Sequence, residues 1–289
     1  MAEGNDVDLQ DQVAVVTGGG AGIGRGIALR LAAHGADVAV LDIDPERAAD
    51  TVAAIEALGR RALALPTDVM DDEQVLAAVV QADGEFGRID ILVNNAGGVR
   101  GRRFLEQSPR SWRRHIDINL FSMLASTAAV APVMIREGRG GSIVNVTSIE
   151  GTRAAPMFAV YAACKAGMIS FTRTMALELA ENGIRVNAIA PDWTRTPGNS
   201  GLRDGPAPDP LPPRPEAVQR RLAAYIPLGR EGLVEECGDV AVFLCSTLAR
   251  YVTGALIPVD GGTWASSGWT RTDDGGWSLF GADHPMEPI

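Results

Sequence analysis

Lysine is almost missing from this chain. Of 289 residues, 26 are basic, and Lys165 is the single lysine among 25 arginines. Arginine serves as the positive charge everywhere else, so position 165 calls for a compact ammonium on a flexible stem, which a broad planar fork cannot replace. Basic charge as a whole is also short. With 36 acidic residues the net charge is −10, which argues against nucleic acid or an anionic membrane surface as the main partner, because both need basic faces. The three cysteines, Cys164, Cys237 and Cys245, form no disulfide framework, and the expected setting is the reducing cytoplasm. The three histidines, His34, His115 and His284, share no ligand spacing, so no metal site is expected. No apolar run reaches the ~18 residues of a membrane helix, and the opening MAEGNDVDLQDQ is too polar for a signal peptide. The expectation is a soluble globular protein, long enough to bury a sizeable core.

What is present alternates. Short β-branched or apolar runs (Val13–Thr17, Val38–Asp42, Ala62–Leu65, Ile89–Asn94, Ser142–Thr147, Arg185–Ala190 and Ala255–Val259) are separated by amphipathic stretches such as Ile23–Ala33, Pro45–Leu58, Glu73–Phe86 and Trp112–Arg136. Strands spaced by helices predict βαβ units, hence an α/β fold: one domain with a doubly wound parallel sheet and helices on both faces. Two segments break the rhythm. Pro197 to Ala217 holds seven of the 17 prolines, which excludes regular helix or strand there and predicts a loop of the lid kind within about 192–226. The tail from Ala265 carries Trp269, Trp277 and Phe280, aromatics that predict packing, with a neighbouring subunit as one expected support. The expected organisation is a flexible N-terminus over 1–8, a main domain over 9–264 and a C-terminal extension over 265–289. The helix expected over Phe158–Ala180 is apolar or small nearly all round. It therefore needs cover on two faces, and a subunit contact giving a homotetramer or homodimer is the expected second cover.

After the first strand run comes Thr17-Gly-Gly-Gly-Ala-Gly22-Ile23-Gly24. Gly18, Gly22 and Gly24 let the backbone turn tightly, and a helix opening at Ile23 offers free N–H groups and a favourable dipole to a pyrophosphate. The second run ends at Asp42, followed by Ile43. A carboxylate there accepts hydrogen bonds from both ribose hydroxyls and repels a 2′-phosphate, which favours NAD over NADP.

Tyr161 and Lys165 stand four apart, one helical turn on one face. With three tyrosines in the chain, the lone lysine falls four after a tyrosine by chance in about one case in a hundred. A phenol of pKa near 10 is a poor base at neutral pH, and a fixed ammonium beside it, together with the positive nicotinamide of an oxidised cofactor, is expected to lower that value. Ser148 ends the fifth run, on the carboxyl side of the sheet where ligands bind, and can hold a substrate oxygen. Asn119 is an amide in an apolar stretch. Its partner is either a relay water or the backbone.

TGGGAGIG, Asp68-Val69, Asn94-Asn95-Ala96-Gly97, Asn119, Ser148, Tyr161-Ala-Ala-Cys-Lys165, Asn187-Ala-Ile-Ala-Pro191 and Val259-Asp-Gly-Gly262 together resemble the short-chain dehydrogenases/reductases, over roughly residues 9 to 264. The resemblance implies a Rossmann-type fold and hydride transfer between nicotinamide and a carbinol or carbonyl carbon. It implies Asn119, Ser148, Tyr161 and Lys165 as the catalytic tetrad. Tyr161 is then the general acid/base, Ser148 the substrate-oxygen anchor, Lys165 the ribose ligand that depresses the Tyr161 pKa, and Asn119 the support of a relay water. It also implies cofactor contacts at Asp68, Val69, Asn95, Ala96, Gly97, Pro191, Thr194 and Thr196. One departure stands out: the family's Pro-Gly after the sixth strand is here Pro191-Asp192-Trp193. Asp tolerates left-handed backbone, and Asp192 and Trp193 are expected either to cap the loop or to touch substrate.

Glu150, Phe158, Asp192 and Trp193 are the expected substrate contacts, with Ile149 and Met157 nearby. Apolar groups predominate, which suits a bulky hydrophobic alcohol or ketone of steroid or terpenoid kind. A hydroxyacyl thioester is the other expected substrate, and Arg100, Arg102 and Arg103 either greet an anionic carrier such as coenzyme A or solubilise a loop. Two other readings use the same residues: an NAD-using epimerase or dehydratase, and a non-catalytic NAD-binding protein.

Overall fold

In the computed structural model, residues 7–202, 210–279 and 281 are described. Seven strands form one parallel sheet: β1 (Val13–Thr17), β2 (Asp37–Asp42), β3 (Ala62–Pro66), β4 (Ile91–Asn94), β5 (Gly141–Val146), β6 (Ile184–Pro191) and β7 (Leu256–Val259). Their order across the sheet is β3-β2-β1-β4-β5-β6-β7, so the winding reverses between β1 and β4 and opens a crevice at their carboxyl ends. The five inner strands are short apolar runs buried on both faces, as a parallel sheet covered by helices requires, while the edge strands β3 and β7 are mostly half-buried.

One face is covered by α1 (Gly22–Ala33), α2 (Pro45–Ala57) and α8 (Val234–Cys245), with Ile27, Leu31, Val38, Val144, Ala241 and Leu244 in a continuous core. The other is covered by α3 (Asp72–Phe86), α5 (Ser122–Glu137) and α6 (Ala159–Glu178), meeting at Val15, Leu92, Met134, Ile143 and Val186. Polar side chains pin this second layer in register. Asn94 donates to Asn145 at 2.9 Å and to Thr127 at 3.1 Å, and Asn145 donates to Thr172 at 2.8 Å. Each buried amide thus finds a partner on a strand or helix it must stay aligned with.

The expected absence of an apolar stretch of membrane length is corrected here. Helix α4 (Pro109–Ile116), a π-helical turn (Asp117–Phe121) and α5 run on as one helix, Pro109–Glu137, with an 18-residue window apolar enough to cross a bilayer by length and composition. Val130, Ala131 and Met134 spend that apolar surface on the sheet. Ser122 and Ser126 turn their hydroxyls onto the carbonyls of Ile118 and Ser122 at 2.8 and 2.9 Å, satisfying both within the helix, while Thr127 is bonded from Asn94 on the sheet.

After β6, the chain makes a short 3-10 turn (Gly198–Ser200) and re-enters as α7 (Glu216–Tyr225); residues 203–209 between them, with Pro206 and Pro208, lie outside the described residues. Arg214 closes this excursion, donating to Glu231 at 2.9 Å and to the Asn199 carbonyl at 2.9 Å. Beyond α9 (Thr263–Ser266), the tail forms a two-stranded hairpin, β8 (Thr270–Arg271) with β9 (Trp277–Ser278). The tail finds support within its own chain: β8 packs on α7, and Arg271 donates to Pro227 at 3.3 Å while its guanidinium lies over the Trp277 ring. Phe280 and most of the N-terminal segment 1–8 lie outside the described residues.

Candidate active site

The crevice holds a cavity of about 680 Å³ running from the glycine turn to the carboxyl end of β6. At one end the turn is held by side-chain-to-backbone bonds. The Thr17 hydroxyl accepts from the Asn95 and Ala96 amides at 3.0 and 3.1 Å, and the Asn95 amide donates to the Thr17 and Gly18 carbonyls, both at 3.0 Å. Gly18 has φ +61°, and a Cβ on Gly24 would overlap the Gly18 carbonyl, so neither position accepts a side chain. Helix α1 has no side-chain cap and no acid in its first turn, which leaves its first N–H groups and dipole available to an anion.

Asp42 does more than the sequence suggested. One carboxylate oxygen accepts from the Gly20 amide at 2.8 Å and the other from the Asp44 amide at 3.0 Å, so the residue also braces the glycine turn. Gly18, Gly22, Ile23, Asp42, Ile43, Asp68, Val69, Asn95, Ala96, Gly97, Pro191, Thr194 and Thr196 all line the cavity; Gly24 sits beneath the turn. Arg47 and Arg114 line it too, and no sequence motif singled them out. An uncapped helix start, a carboxylate at the end of β2 and a side-chain-free turn fit a dinucleotide.

Ser148, Tyr161 and Lys165 meet at the other end. Ser148 follows β5 and is buried; its hydroxyl accepts from the Glu150 amide at 3.2 Å and lies within hydrogen-bond reach of Tyr161. Lys165 is 3% exposed. Its ammonium donates to the Val146 carbonyl at 2.9 Å and to the Met168 sulfur at 3.4 Å, and stands 5.5 Å from the centre of the Tyr161 ring. Only a compact cation fits there, which accounts for the lone lysine.

Lys165 by itself does not depress the Tyr161 phenol in this structure. Burial pushes Tyr161 up to about 12; the Ser148 hydrogen bond works against this, and Glu150, Asp192 and Cys164 add to it. Burial likewise pulls Lys165 down to about 8, opposed by Cys164. The ammonium lies over the ring face and is spent on Val146, so both groups pay for desolvation before either helps the other.

Asn119 resolves to the backbone alternative. Its amide donates to the Gly98 and His115 carbonyls at 2.9 and 3.0 Å, and its oxygen accepts from the Gly98 amide at 3.0 Å. The residue sits in the π-helical turn, where the widened ladder leaves the His115 carbonyl for the side chain to take.

Of the expected substrate contacts, Asp192 lines the cavity, while Glu150, Phe158 and Trp193 stand outside its lining. Asp192 does not use left-handed backbone, in contrast to the turn expected there; among described residues outside glycine, positive φ falls at Asp11, Met157 and Ser267. Its carboxylate accepts from Thr263 at 2.7 Å and stands 3.7 Å from Arg153, which also donates to Glu150 at 2.8 Å and to the Tyr225 hydroxyl at 2.9 Å. Sequence reading missed Arg153 and Tyr225. The one available signal was that Tyr225 is among three tyrosines. In the Arg100–Arg103 loop, the Arg102 amide donates to the Met157 carbonyl at 2.8 Å, and the three arginines remain exposed.

A family model described as Enoyl-(Acyl carrier protein) reductase matches residues 18–263. The oxidoreductase UcpA of Salmonella typhimurium is 41% identical over 258 residues, 88% of this chain and 95% of that protein. A solved 7α-hydroxysteroid dehydrogenase, complexed with NADH and 7-oxo glycochenodeoxycholic acid, superimposes with a TM-score of 0.82 at 33% identity, covering 91% of this chain and 98% of that one. A protein of Agrobacterium tumefaciens described as a 2-deoxy-d-gluconate 3-dehydrogenase, with NADP bound, gives a TM-score of 0.79 at 35% identity over 91% of this chain and all of that one, 100%. The chain belongs to the short-chain dehydrogenase/reductase family, as an oxidoreductase with a nicotinamide cofactor.

Proposed function

We propose that this protein is an NAD-dependent dehydrogenase that interconverts a secondary alcohol and a ketone on a bulky, largely apolar substrate of steroid or terpenoid kind. The observation that carries the reading is the convergence of Tyr161, Ser148 and Lys165 at the end of a cavity whose far end is a side-chain-free glycine turn. Tyr161 takes the hydroxyl proton in oxidation and returns it in reduction. Ser148 holds the substrate oxygen beside the phenol. Lys165 binds nicotinamide ribose, and Asn119 fixes the loop after β4 that forms the cavity wall. When bound, NAD supplies the hydride acceptor at its nicotinamide ring, together with a positive charge that favours the phenolate.

Asp42 supports NAD over NADP, because a 2′-phosphate placed against its carboxylate is repelled. The similarity to a protein complexed with 7-oxo glycochenodeoxycholic acid supports an apolar skeleton. Three free, buried cysteines suit a reducing cytoplasm, and the exposed Phe121 and Leu177 suit burial in a homotetramer or homodimer. Turnover on a panel of steroid, terpenoid and hydroxyacyl thioester alcohols, with NAD and NADP in parallel, tests the reading. Net reduction of NAD with one of the apolar alcohols is expected. No cofactor reduction with any alcohol overturns it, and a preference for NADP overturns the role of Asp42.

A further inference from the structure

Beside the acid–base end lies a charge cluster that the reaction as described does not use. The Arg153 guanidinium sits between three groups from three segments: Glu150 after β5 at 2.8 Å, Asp192 after β6 at 3.7 Å and the Tyr225 hydroxyl at the end of α7 at 2.9 Å. Thr263, at the start of α9, donates to Asp192 at 2.7 Å and reaches Asp260 at 3.3 Å. Asp192 lines the same cavity as Tyr161, and Glu150, outside that lining, follows Ser148 by two residues and donates its backbone amide to the Ser148 hydroxyl; both carboxylates act against ionisation of the phenol. The other groups around Tyr161 are Ser148, Cys164 and Lys165, and Lys165 is committed to Val146. Arg153 is thus the cation that offsets the carboxylates.

We propose that Arg153 is a positioning residue for the reaction, holding Glu150 and Asp192 as a charge-compensated cluster beside Tyr161 and fastening helix α7 to that cluster through Tyr225. The proposal rests on Tyr161 as the acid/base. It deepens that reading by giving the side chains that follow β5 and β6 a joint task. A guanidinium suits this task because its fork donates to several acceptors at once, which an ammonium at the same place cannot match in geometry. Helix α7 otherwise buries little besides Leu222 and leans on the β8–β9 hairpin, so a hydrogen bond at its last residue bears on how firmly it closes over the substrate side.

The test is the pH profile of kcat/KM for oxidation of the panel alcohol turned over fastest, with NAD, together with amide exchange across residues 216–225. In Arg153→Leu, two uncompensated carboxylates oppose the phenolate. The limb assigned to Tyr161 is expected to move up by about one pH unit, a tenfold loss on its acid side with the high-pH plateau kept. Adding Asp192→Asn is expected to move the limb back down. Arg153→Lys, which keeps the charge but not the fork, is expected to hold the limb and raise KM. Tyr225→Phe is expected to leave the limb in place while KM and the exchange rate of α7 both rise about threefold. An equal loss at every pH in Arg153→Leu, or a limb that Asp192→Asn does not restore, overturns the compensating role. Unchanged KM and exchange in Tyr225→Phe overturn the fastening role. Tyr161→Phe separates the two levels: if it keeps full turnover the acid–base reading itself fails, and if it is inactive while the limb stays fixed in Arg153→Leu only the role of Arg153 fails.

Discussion

The two ends of the crevice are built from different materials. Around β1, β2 and β4 the cavity wall is mostly backbone, tied by the Thr17 hydroxyl, the Asn95 amide and the Asp42 carboxylate, each bonding main-chain groups. Around β5 and β6 the determining contacts run between side chains, with Arg153 joining Glu150, Asp192 and Tyr225. The first arrangement suits a ligand that is the same throughout a family, because glycines and uncapped N–H groups recognise a phosphate whatever else is attached. The second suits a substrate that differs from one enzyme to the next, since side chains can be exchanged without disturbing the sheet.

The largest expected effect divides the two ends cleanly. Tyr161→Phe removes the acid/base and is expected to lower kcat by about 10²–10⁴-fold while NADH binding, followed by fluorescence, stays within about twofold of the original. Equal loss of both would mean that the two ends are not separable. Next comes Asp42→Ala, which takes away the ribose acceptor and both bonds to Gly20 and Asp44. With about 1.5–3 kcal/mol for hydrogen bonds to a charged group, kcat/KM for NAD is expected to fall about 10- to 100-fold. The preference for NAD over NADP should narrow, as read from the ratio of the two rates.

Lys165 provides a third comparison, of stability against activity. Its folded pKa of about 8 lies below the ordinary 10.5, so the folded state pays to keep it charged. That cost is full below pH 8 and is relieved as the pH rises from 8 towards 10.5, where the unfolded chain binds the extra proton. Lys165→Met is therefore expected to be inactive yet more stable than the original by about 2 kcal/mol at pH 7, with the difference in urea unfolding shrinking above pH 8. A variant less stable at pH 7 would show that the bond to Val146 outweighs desolvation. The smallest effect is expected in the segment between β6 and α7. Arg214→Gln loses a mostly buried pairing with Glu231, and KM is expected to rise about threefold with kcat unchanged, measured with the same alcohol.

How much of this was legible in the sequence follows the same division. The glycine turn, Asp42 and the Tyr161–Lys165 pair each lie within one turn or one strand end, so spacing alone reveals them. Asn119 was visible as an odd amide, but its partner was not, because the π-helical turn that frees the His115 carbonyl leaves no mark in composition. Arg153 and Tyr225 are 72 positions apart, and nothing along the chain announces that they touch. For a related reason, helical spacing gives the proximity of Tyr161 to Lys165, but not the ring-face geometry or the depth of burial.

By itself the sequence determined the strand and helix alternation, the side-chain-free turn and the need for one compact cation at position 165, because each follows from local sterics and periodicity. Only the tertiary structure decided which carboxylates act on Tyr161, that Asp42 braces the glycine turn besides standing where a ribose is expected, and that the tail supports α7 within its own chain. Those outcomes depend on distances between segments far apart in sequence and on exclusion of water, and both exist only once the sheet has closed under its helices.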